Sequence, residues 1–249
     1  MLTEALLADA LAAAGLHAPV RAEATVPSTQ AIARDLAEAG SPAWTLVAAE
    51  HQTAGRGRHG RTWADVPGSL LVSMVLRPPV PAPRAGLVPL LAGAALAEAC
   101  DEVAGARVTL RWPNDLLLDE RKVGGMIAES RIEDDRVAWI VLGVGVNVAA
   151  APDDVDGAAS LGAGEPASVL AAFLRRFAPL LEGEPWAAVR ARYLPRCATL
   201  GRRVRARTAA GEIDGVAADL DETGALVVAP ASGPPVVLAS AEVVHLAHD

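Results

Sequence analysis

A fold for this chain has to bury several segments that are apolar along nearly their whole length. Such runs are typical of strands that are covered on both faces of a sheet. An alanine-rich segment, Gly86–Val103, precedes them and predicts a buried helix. The runs that predict these central strands are Val108–Trp112, Leu116–Leu118, Val123–Ser130 and Val137–Val148.

The remaining elements of the first 196 residues predict further strands and helices around the same core. A length of 249 residues, 52% of them hydrophobic, is enough for one large domain or for one with a small partner, at about 150 residues per domain. His51–Gly68 is polar and glycine-rich, which predicts a loop. The other predicted strands are Arg21–Val26, Trp44–Ala49 and Ser69–Leu76, and the other predicted helices are Leu2–Gly15, Ala31–Ala39, Ala167–Leu181 and Trp186–Tyr193.

The pattern changes after Cys197, where short strands alternate with turn residues. That spacing predicts a small β-barrel of about 50 residues. We therefore expect a large domain over residues 1–196 and a small one over residues 197–249. The predicted strands of the small domain are Val204–Thr208, Glu212–Leu220, Ala225–Ala229, Val236–Leu238 and Val243–Leu246.

Charge and composition argue against several classes of protein. The net charge is -8 and only eight residues are aromatic, whereas a nucleic-acid binder usually has a basic face or several stacking rings. The apolar stretches are shorter than the ~18 residues that a membrane span needs. Cys100 and Cys197 lack metal-ligand spacing, and no basic leader opens the chain. We expect a cytoplasmic protein that binds neither membranes nor nucleic acid.

The basic residues are 21 arginines and a single lysine, Lys122. An ammonium group is a compact point charge, whereas a guanidinium is a wide planar fork. A lone lysine in so arginine-rich a chain therefore indicates a position where the fork does not fit.

The glycine-rich loop, residues 50–63 with the sequence EHQTAGRGRHGRTW, carries three glycines and three arginines. Glycine lets the backbone approach a ligand closely, and arginine grips phosphate and carboxylate groups in bidentate fashion. The loop also matches a dinucleotide fingerprint and nearly matches a P-loop. No helix follows it to complete either motif, so we reject both.

Three further segments combine polar side chains with backbone freedom. Arg111–Asp115 follows a buried strand, and a hairpin would bring Asp115 to Lys122 seven residues later. Gly143 and Gly145 interrupt a β-branched strand and leave room for a ligand, while Ser28–Gln30 places two hydroxyls and an amide before a helix. Taken alone, these segments are also compatible with an Asx turn, a β-bulge and a helix cap.

In this order the segments resemble the motif series of biotin protein ligases. The resemblance covers roughly residues 20–249. It implies an α+β fold with a mixed central β-sheet flanked by helices, as in class II aminoacyl-tRNA synthetases, and a small C-terminal SH3-like β-barrel. The motifs are Ser28–Gln30, residues 50–63, Arg111–Asp115, Arg121–Gly125 and Gly143–Asn147.

The resemblance also implies a reaction and a set of site residues. Biotin would attack the α-phosphate of ATP to give biotinyl-5′-AMP, and the acyl group would then pass to a lysine of a carrier protein. The implied catalytic residues are Lys122, Arg58 and Asp115. The implied biotin contacts are Ser28, Thr29, Gln30, Gln52, Gly55, Arg56, Gly57, Arg58, Lys122, Gly125 and Gly143, and the implied ATP or adenylate contacts are Arg56, Arg58, Trp63, Asn114, Lys122 and Asn147.

The implied partner is the biotin carboxyl carrier domain of acetyl-CoA carboxylase or of another biotin-dependent carboxylase. Magnesium is expected with the polyphosphate, without assigned ligands, and the protein is expected to be a monomer or a homodimer. Gln30 stands where the family often has asparagine. Only 27 residues precede Ser28, too few for the DNA-binding module of some relatives, so we expect no repressor activity.

Two alternatives remain open at this point. A lipoate or octanoyl ligase would share the fold and the acyl chemistry, but it would need an apolar tunnel and its own arginine-glycine-histidine motif. A nucleotide-binding module without catalysis could keep the arginine loop, although it would have no reason to keep Lys122 opposite it.

Overall fold

The computed structural model describes residues 2–208 and 211–246. Its centre is a seven-stranded sheet in the order β1-β2-β3-β7-β6-β5-β4, in which β1 and β2 are parallel and the other neighbours antiparallel. This mixed sheet confirms the predicted fold class. Its strands are β1 (Val20–Val26), β2 (Leu46–Gln52), β3 (Ser69–Leu76), β4 (Thr109–Arg111), β5 (Asp115–Leu118), β6 (Arg121–Glu133) and β7 (Arg136–Asn147).

Helices cover both faces of this sheet, which explains why a central strand such as β3 is apolar along nearly its whole length. Helices α1 (Glu4–Ala12), α3 (Leu87–Ala104) and α4 (Pro166–Phe177) share the larger core with the sheet. Helix α2 (Thr29–Glu38) packs on the opposite face, where Ala33 and Ala37 contact a smaller core. All eight residues of β3 are buried between these two layers.

Two predicted helices are wrong in their extent. The helix predicted over Ala167–Leu181 ends at Phe177 and continues as a 3₁₀ turn, because Pro179 lacks the N–H that an α-helix would use there. The helix predicted over Trp186–Tyr193 is α5 (Pro185–Ala188) followed by a π-helical turn. His51 and Gln52, assigned to the loop, are the last residues of β2.

The C-terminal part forms a second sheet of five antiparallel strands, in agreement with the small β domain that the turn spacing predicts. It packs on the first sheet beside Trp112, whose indole N–H donates to the carbonyl of Gly224 at 3.1 Å. The domain boundary at residue 196 stays a prediction. The strands are β8 (Arg203–Thr208), β9 (Gly211–Leu220), β10 (Leu226–Pro230), β11 (Val236–Leu238) and β12 (Glu242–His245), in the order β11-β10-β9-β8-β12.

None of the helices in the described part of the chain has the length and hydropathy to cross a lipid bilayer.

Candidate active site

A cavity of about 260 Å³ lies where the central sheet, the glycine-rich loop and the C-terminal domain meet. The sheet contributes side chains from β3, β5, β6 and β7, and residues 241–244 of the C-terminal domain form one wall. Most of the predicted site residues line it. They are Ser28, Thr29, Gln30, Gln52, Arg56, Gly57, Arg58, Trp63, Asn114, Asp115, Lys122, Gly125 and Gly143.

One end of the cavity is neutral and polar, and a hydrogen-bond network fixes its side chains. The Oε1 of Gln52 accepts from the backbone N–H of Thr29 at 2.8 Å. The hydroxyls of Thr29 and Ser73 lie 2.9 Å apart, and Ser73 donates to Oε1 of Gln30 at 3.2 Å. Gln30 itself donates to the carbonyl of Val141. This end therefore presents an ordered set of donors and acceptors without a net charge.

Ser28 precedes α2 but makes no side-chain cap hydrogen bond. The residue is 3% exposed, and its Oγ has no hydrogen-bond partner among the described residues. A buried hydroxyl without a partner costs free energy unless a ligand satisfies it. Helix capping therefore does not account for Ser28, which lines the cavity as an open hydrogen-bonding group.

Three glycines make room for site side chains. A Cβ at Gly143 would lie 2.5 Å from Oε1 of Gln30, and one at Gly145 would lie 2.7 Å from the indole of Trp63. A Cβ at Gly125 would lie 3.2 Å from Cε of Lys122. The β-bulge interpretation of Gly143 and Gly145 is wrong, because both stay in regular register with β3. The space beside these glycines, which was predicted for a ligand, is filled by the side chains of Gln30, Trp63 and Lys122.

The other end of the cavity is cationic and is built on a hairpin. Strands β5 and β6 pair Asp115 with Gly125, and Nζ of Lys122 lies 2.6 Å from Oδ1 of Asp115. Arg111 binds the second carboxylate oxygen, with Nη2 at 2.5 Å from Oδ2. Burial alone would raise the pKa of Asp115, but the positive charges of Lys122 and Arg111 outweigh it and hold the pKa below its usual value. The convergence of Lys122 and Asp115 is confirmed.

Arg58 reaches the cavity from the loop. Its Nη1 donates to Oδ1 of Asn114 at 3.2 Å, and Asn114 in turn donates to the carbonyl of Met126 at 2.8 Å. Burial lowers the pKa of Arg58, although Asp115 nearby favours the charged form. Arg56 also lines the cavity but is half exposed, with Nη1 at 3.8 Å from Glu129. The loop arginines and Lys122 thus face one shared cavity, as predicted from residues more than sixty positions apart.

Trp63 covers the middle of the cavity. Its indole lies against Gly145, and Nζ of Lys122 is 5.6 Å from the ring centroid, within the range of a cation–π contact. Its Nε1 is buried and has no hydrogen-bond partner in the described part of the chain. The ring therefore stands beside the ammonium group of Lys122 and leaves one donor for a ligand.

Two predicted site residues do not line the cavity. Gly55 contacts Trp63 instead, since its carbonyl accepts from the backbone N–H of Trp63 at 3.0 Å. Asn147 is 3% exposed at the end of β7 and donates to the carbonyl of Ala159 at 3.0 Å. Its Oδ1 is buried with no partner in residues 2–208 and 211–246.

Sequence reasoning missed three residues that organise the site. Ser73, the polar residue in the interior of β3, completes the neutral network. Asp65 anchors the base of the loop, because its carboxylate accepts from the backbone N–H of Gln52 at 3.1 Å and contacts Nδ1 of His51 at 3.0 Å. Arg111 was part of a quoted motif but was given no role. A polar residue inside an otherwise apolar strand was the available signal for Ser73.

The described residues contain no cluster of three or more histidine, cysteine, aspartate and glutamate side chains that could hold a metal ion.

Family models and known proteins match this chain along most of its length. Residues 22–147 match the biotin/lipoate A/B protein ligase family, and residues 199–246 match the biotin protein ligase C-terminal domain. The biotin--[acetyl-CoA-carboxylase] ligase of Paracoccus denitrificans is 36% identical over 236 residues, which cover 87% of this chain and 97% of the relative. The bifunctional ligase/repressor BirA of Bacillus subtilis is 33% identical over 81% of this chain and 66% of its own length.

Among solved structures, the biotin protein ligase from Aquifex aeolicus in complex with biotin and ATP is similar to this chain. It aligns with a TM-score of 0.76 and 26% identity, over 92% of this chain and 99% of that one.

Proposed function

The chain belongs to the biotin/lipoate A/B protein ligase family, and on that premise we propose that it is an ATP-dependent biotin–protein ligase. In the first step a carboxylate oxygen of biotin attacks the α-phosphorus of ATP, and pyrophosphate leaves. In the second step the amine of an acceptor lysine attacks the acyl carbon, AMP leaves, and the amine loses a proton. The products are a biotinylated lysine and AMP.

The observation that carries this proposal is the polarity of a single cavity. Its neutral end, with Ser28, Thr29 and Gln30, suits an uncharged group that has both donors and acceptors, as the ureido ring of biotin has. Its cationic end, with Arg58 and Lys122, suits a carboxylate and a phosphate. A molecule with an uncharged polar head and a carboxylate tail spans the two ends.

The cations at the cationic end of the cavity promote the first step, the formation of biotinyl-5′-AMP. Negative charge builds on the phosphate in the transition state, and charges that are already in place stabilise it without reorganisation. Lys122 is held by Asp115, and Arg58 is held by Asn114, so both are oriented before substrate arrives. Arg56, half exposed beside Glu129, is assigned to the carboxylate and phosphate oxygens of the substrates. A magnesium ion would accompany the polyphosphate of ATP and would offset its negative charge, and no residue of this chain is assigned as its ligand.

Asp115 serves the second step by orienting the acceptor. Its carboxylate is paired with Lys122 and Arg111, which keep it ionised and make it a weak proton acceptor. An acceptor ammonium group can replace Lys122 on this carboxylate. Lys122 is then free to stay with the leaving AMP. Asp115 therefore acts by electrostatic attraction and orientation of the incoming amine.

Adenine recognition is assigned to Trp63 and Asn147. Trp63 provides an aromatic face that excludes water from the labile mixed anhydride. The buried Oδ1 of Asn147 without a partner supports a contact with an amino group on the adenine edge. Because Asn147 lies outside the cavity lining, this contact requires a small opening near Ala159.

A lipoate ligase is the alternative within the family. The dithiolane ring of lipoate has no hydrogen-bond donors, so it would leave the buried hydroxyl of Ser28 without a donor to pair with. A nucleotide-binding module without catalysis does not explain why Lys122 and Asp115 converge on the arginine loop.

We assign the acceptor to the biotin carboxyl carrier domain of a biotin-dependent carboxylase, on the names of the relatives. The net charge of -8 supports a protein that does not bind DNA or act as a repressor. A cytoplasmic protein that is a monomer or a homodimer is the corresponding proposal for location and assembly.

Isotope exchange between pyrophosphate and ATP tests the activity directly. Exchange should require biotin and should not occur with lipoate or without a carboxylate. Mass spectrometry of the quenched reaction should find biotinyl-5′-AMP. Exchange that depends on lipoate alone, or no exchange with either acid, would contradict the proposal.

A further inference from the structure

The tip of the glycine-rich loop is bound to the C-terminal domain. Nη2 of Arg58 donates to Oγ of Ser240 at 2.7 Å, and Nη1 lies 3.4 Å from the carbonyl of Ala241. Arg61 forms an ion pair with Glu242 through its Nη2. Glu242 is the first residue of β12, an edge strand of the C-terminal sheet, and Ser240 lies two residues before it. Residues 240–242 therefore form a contact surface for two of the loop arginines.

These contacts belong to the cavity rather than to the outer surface. Arg58 connects the glycine-rich loop, the C-terminal domain and the central sheet, since the same guanidinium also donates to Asn114, next to Asp115. Residues 241–244 line the cavity together with Arg58 and Arg61. Moving the loop tip away from β12 would open the cavity on the side where Arg58 and Trp63 cover its cationic end.

The loop has firmer attachments at its base than at its tip. At the base, Asp65 holds Gln52, and the backbone of Trp63 bonds to Gly55. At the tip, backbone bonds such as Gly57 N–H to the carbonyl of Arg61 join loop residues to one another. The described contacts from the tip to the C-terminal domain run through arginine side chains, from Arg58 to Ser240 and from Arg61 to Glu242.

We propose that Ser240 and Glu242 are positioning residues that hold the loop closed over the activated acyl group. The inference rests on the proposed ligase function, because it assigns the C-terminal domain control over how long an acyl-adenylate stays bound. A mixed anhydride is lost to water or to the wrong amine once the cavity opens. Closure of such loops commonly sets release rates rather than the chemical step.

The experiment uses the full chain and the double variant Ser240→Ala with Glu242→Gln. The protein is loaded with biotin and ATP without acceptor, and the release of the acyl-adenylate is compared with the rate of the pyrophosphate burst. Release should rise about tenfold in the double variant, while the burst rate stays within about twofold of the wild type. A residue with a merely structural role would lower both rates together.

The matched control is Glu212→Gln, in the same domain. Glu212 pairs with Arg205 and Arg207 away from the cavity, so release should equal that of the wild type. Equal release in the double variant and the wild type overturns the inference. So does an equal rise in the control, which would point to general loosening of the domain.

Trypsin cleavage after Arg56, Arg58 and Arg61 in the free protein gives a second measurement that needs no activity. Cleavage reports the population of the open loop, and we expect it to rise about fivefold in the double variant only. Unchanged cleavage contradicts the inference whatever the enzyme does. If the wild type forms no adenylate at all, the ligase proposal fails, and the cleavage rates still decide whether the loop is held by β12.

Discussion

The Nζ of Lys122 and the Oδ1 of Asp115 lie 2.6 Å apart across a hairpin, in a wall of the cavity that the loop arginines also line. The ammonium group lies beside the Cα of Gly125, on the side where a side chain would project. A Cβ added at Gly125 would be 3.3 Å from Nζ. We expect a wide guanidinium to crowd Gly125 and Asp115 at this position, which would explain why the single lysine of an arginine-rich chain stands here.

Replacing Lys122 by arginine tests whether a point charge is required. We expect Lys122→Arg to keep the fold and to lower the rate of adenylation by at least about tenfold, or about 1.4 kcal/mol of transition-state stabilisation. The measurement is pyrophosphate exchange with biotin and ATP at saturation. Arg131→Lys is the matched control on the same strand, where an exposed arginine pairs with Glu133, and its rate should be unchanged. Normal turnover in Lys122→Arg would falsify the argument from shape.

Gly143 tests the neutral end of the cavity. A Cβ there meets Oε1 of Gln30 at 2.5 Å, and Gln30 cannot move freely because it is buried and bonded to Val141. We expect Gly143→Ala to weaken biotin binding about tenfold or more, or by at least about 1.4 kcal/mol in calorimetry. Gly183→Ala, at an exposed position with open space around the glycine, should bind biotin as the wild type does. Unchanged affinity in Gly143→Ala would remove Gln30 from the biotin site.

Arg111 tests the electrostatic role of Asp115. Removing one of the two cations in Arg111→Gln should raise the pKa of Asp115 toward its ordinary value. The acidic limb of the pH profile of acyl transfer should therefore move to higher pH, while biotin binding at neutral pH is kept. Arg107→Gln is the control, since Arg107 bonds only the carbonyl of Pro195 in the contacts described. A profile that does not move would show that Asp115 does not govern the transfer step.

The lowered pKa of His245 predicts that the protein loses stability in mild acid. Burial, followed by the charges of Arg202 and Arg111, lowers its pKa from 6.5 to about 4, against the opposing charge of Glu120. Below pH 6.5 the unfolded chain binds a proton that the folded chain does not, so the free energy of unfolding falls between pH 6.5 and 4. Above pH 6.5 this contribution is fully present and constant.

Urea unfolding at a series of pH values measures that slope, and His245→Asn should reduce it. The side chain lies 3.1 Å from the hydroxyl of Thr199, which asparagine can also reach as a partner. His17→Asn, at an exposed position, is the control and should keep the wild-type slope. An unaltered slope in His245→Asn would assign the acid sensitivity to other groups.

The sequence could predict the part of the site whose residues lie close together along the chain. Asp115 and Lys122 are seven residues apart, and a hairpin between two apolar strands is enough to bring them together. The central strands could also be predicted, since their signal lies within one segment. A strand such as β3 is buried at all eight positions, and its sequence is therefore almost entirely apolar.

The contacts that could not be predicted join positions far apart in the chain. Ser73 meets Thr29 across 44 positions and Glu242 meets Arg61 across 181, and neither spacing leaves a local pattern. Asn147 shows the limit of counting along a strand. It shares the face of Gly143 and Gly145, but at the strand end its amide turns to Ala159.

Through Trp112, the C-terminal domain helps to fix the conformation of the larger domain. Its backbone N–H bonds the hydroxyl of Thr199 at 3.0 Å, and its indole bonds the backbone of Gly224. The segment that carries Asn114 and Asp115 is thus moulded by residues that follow it by some ninety and more positions. A substitution in the C-terminal sheet can therefore abolish activity without altering any group that contacts a substrate. A stable fragment that ended before Thr199 would keep the fold of the larger domain but would lack a correctly shaped active site.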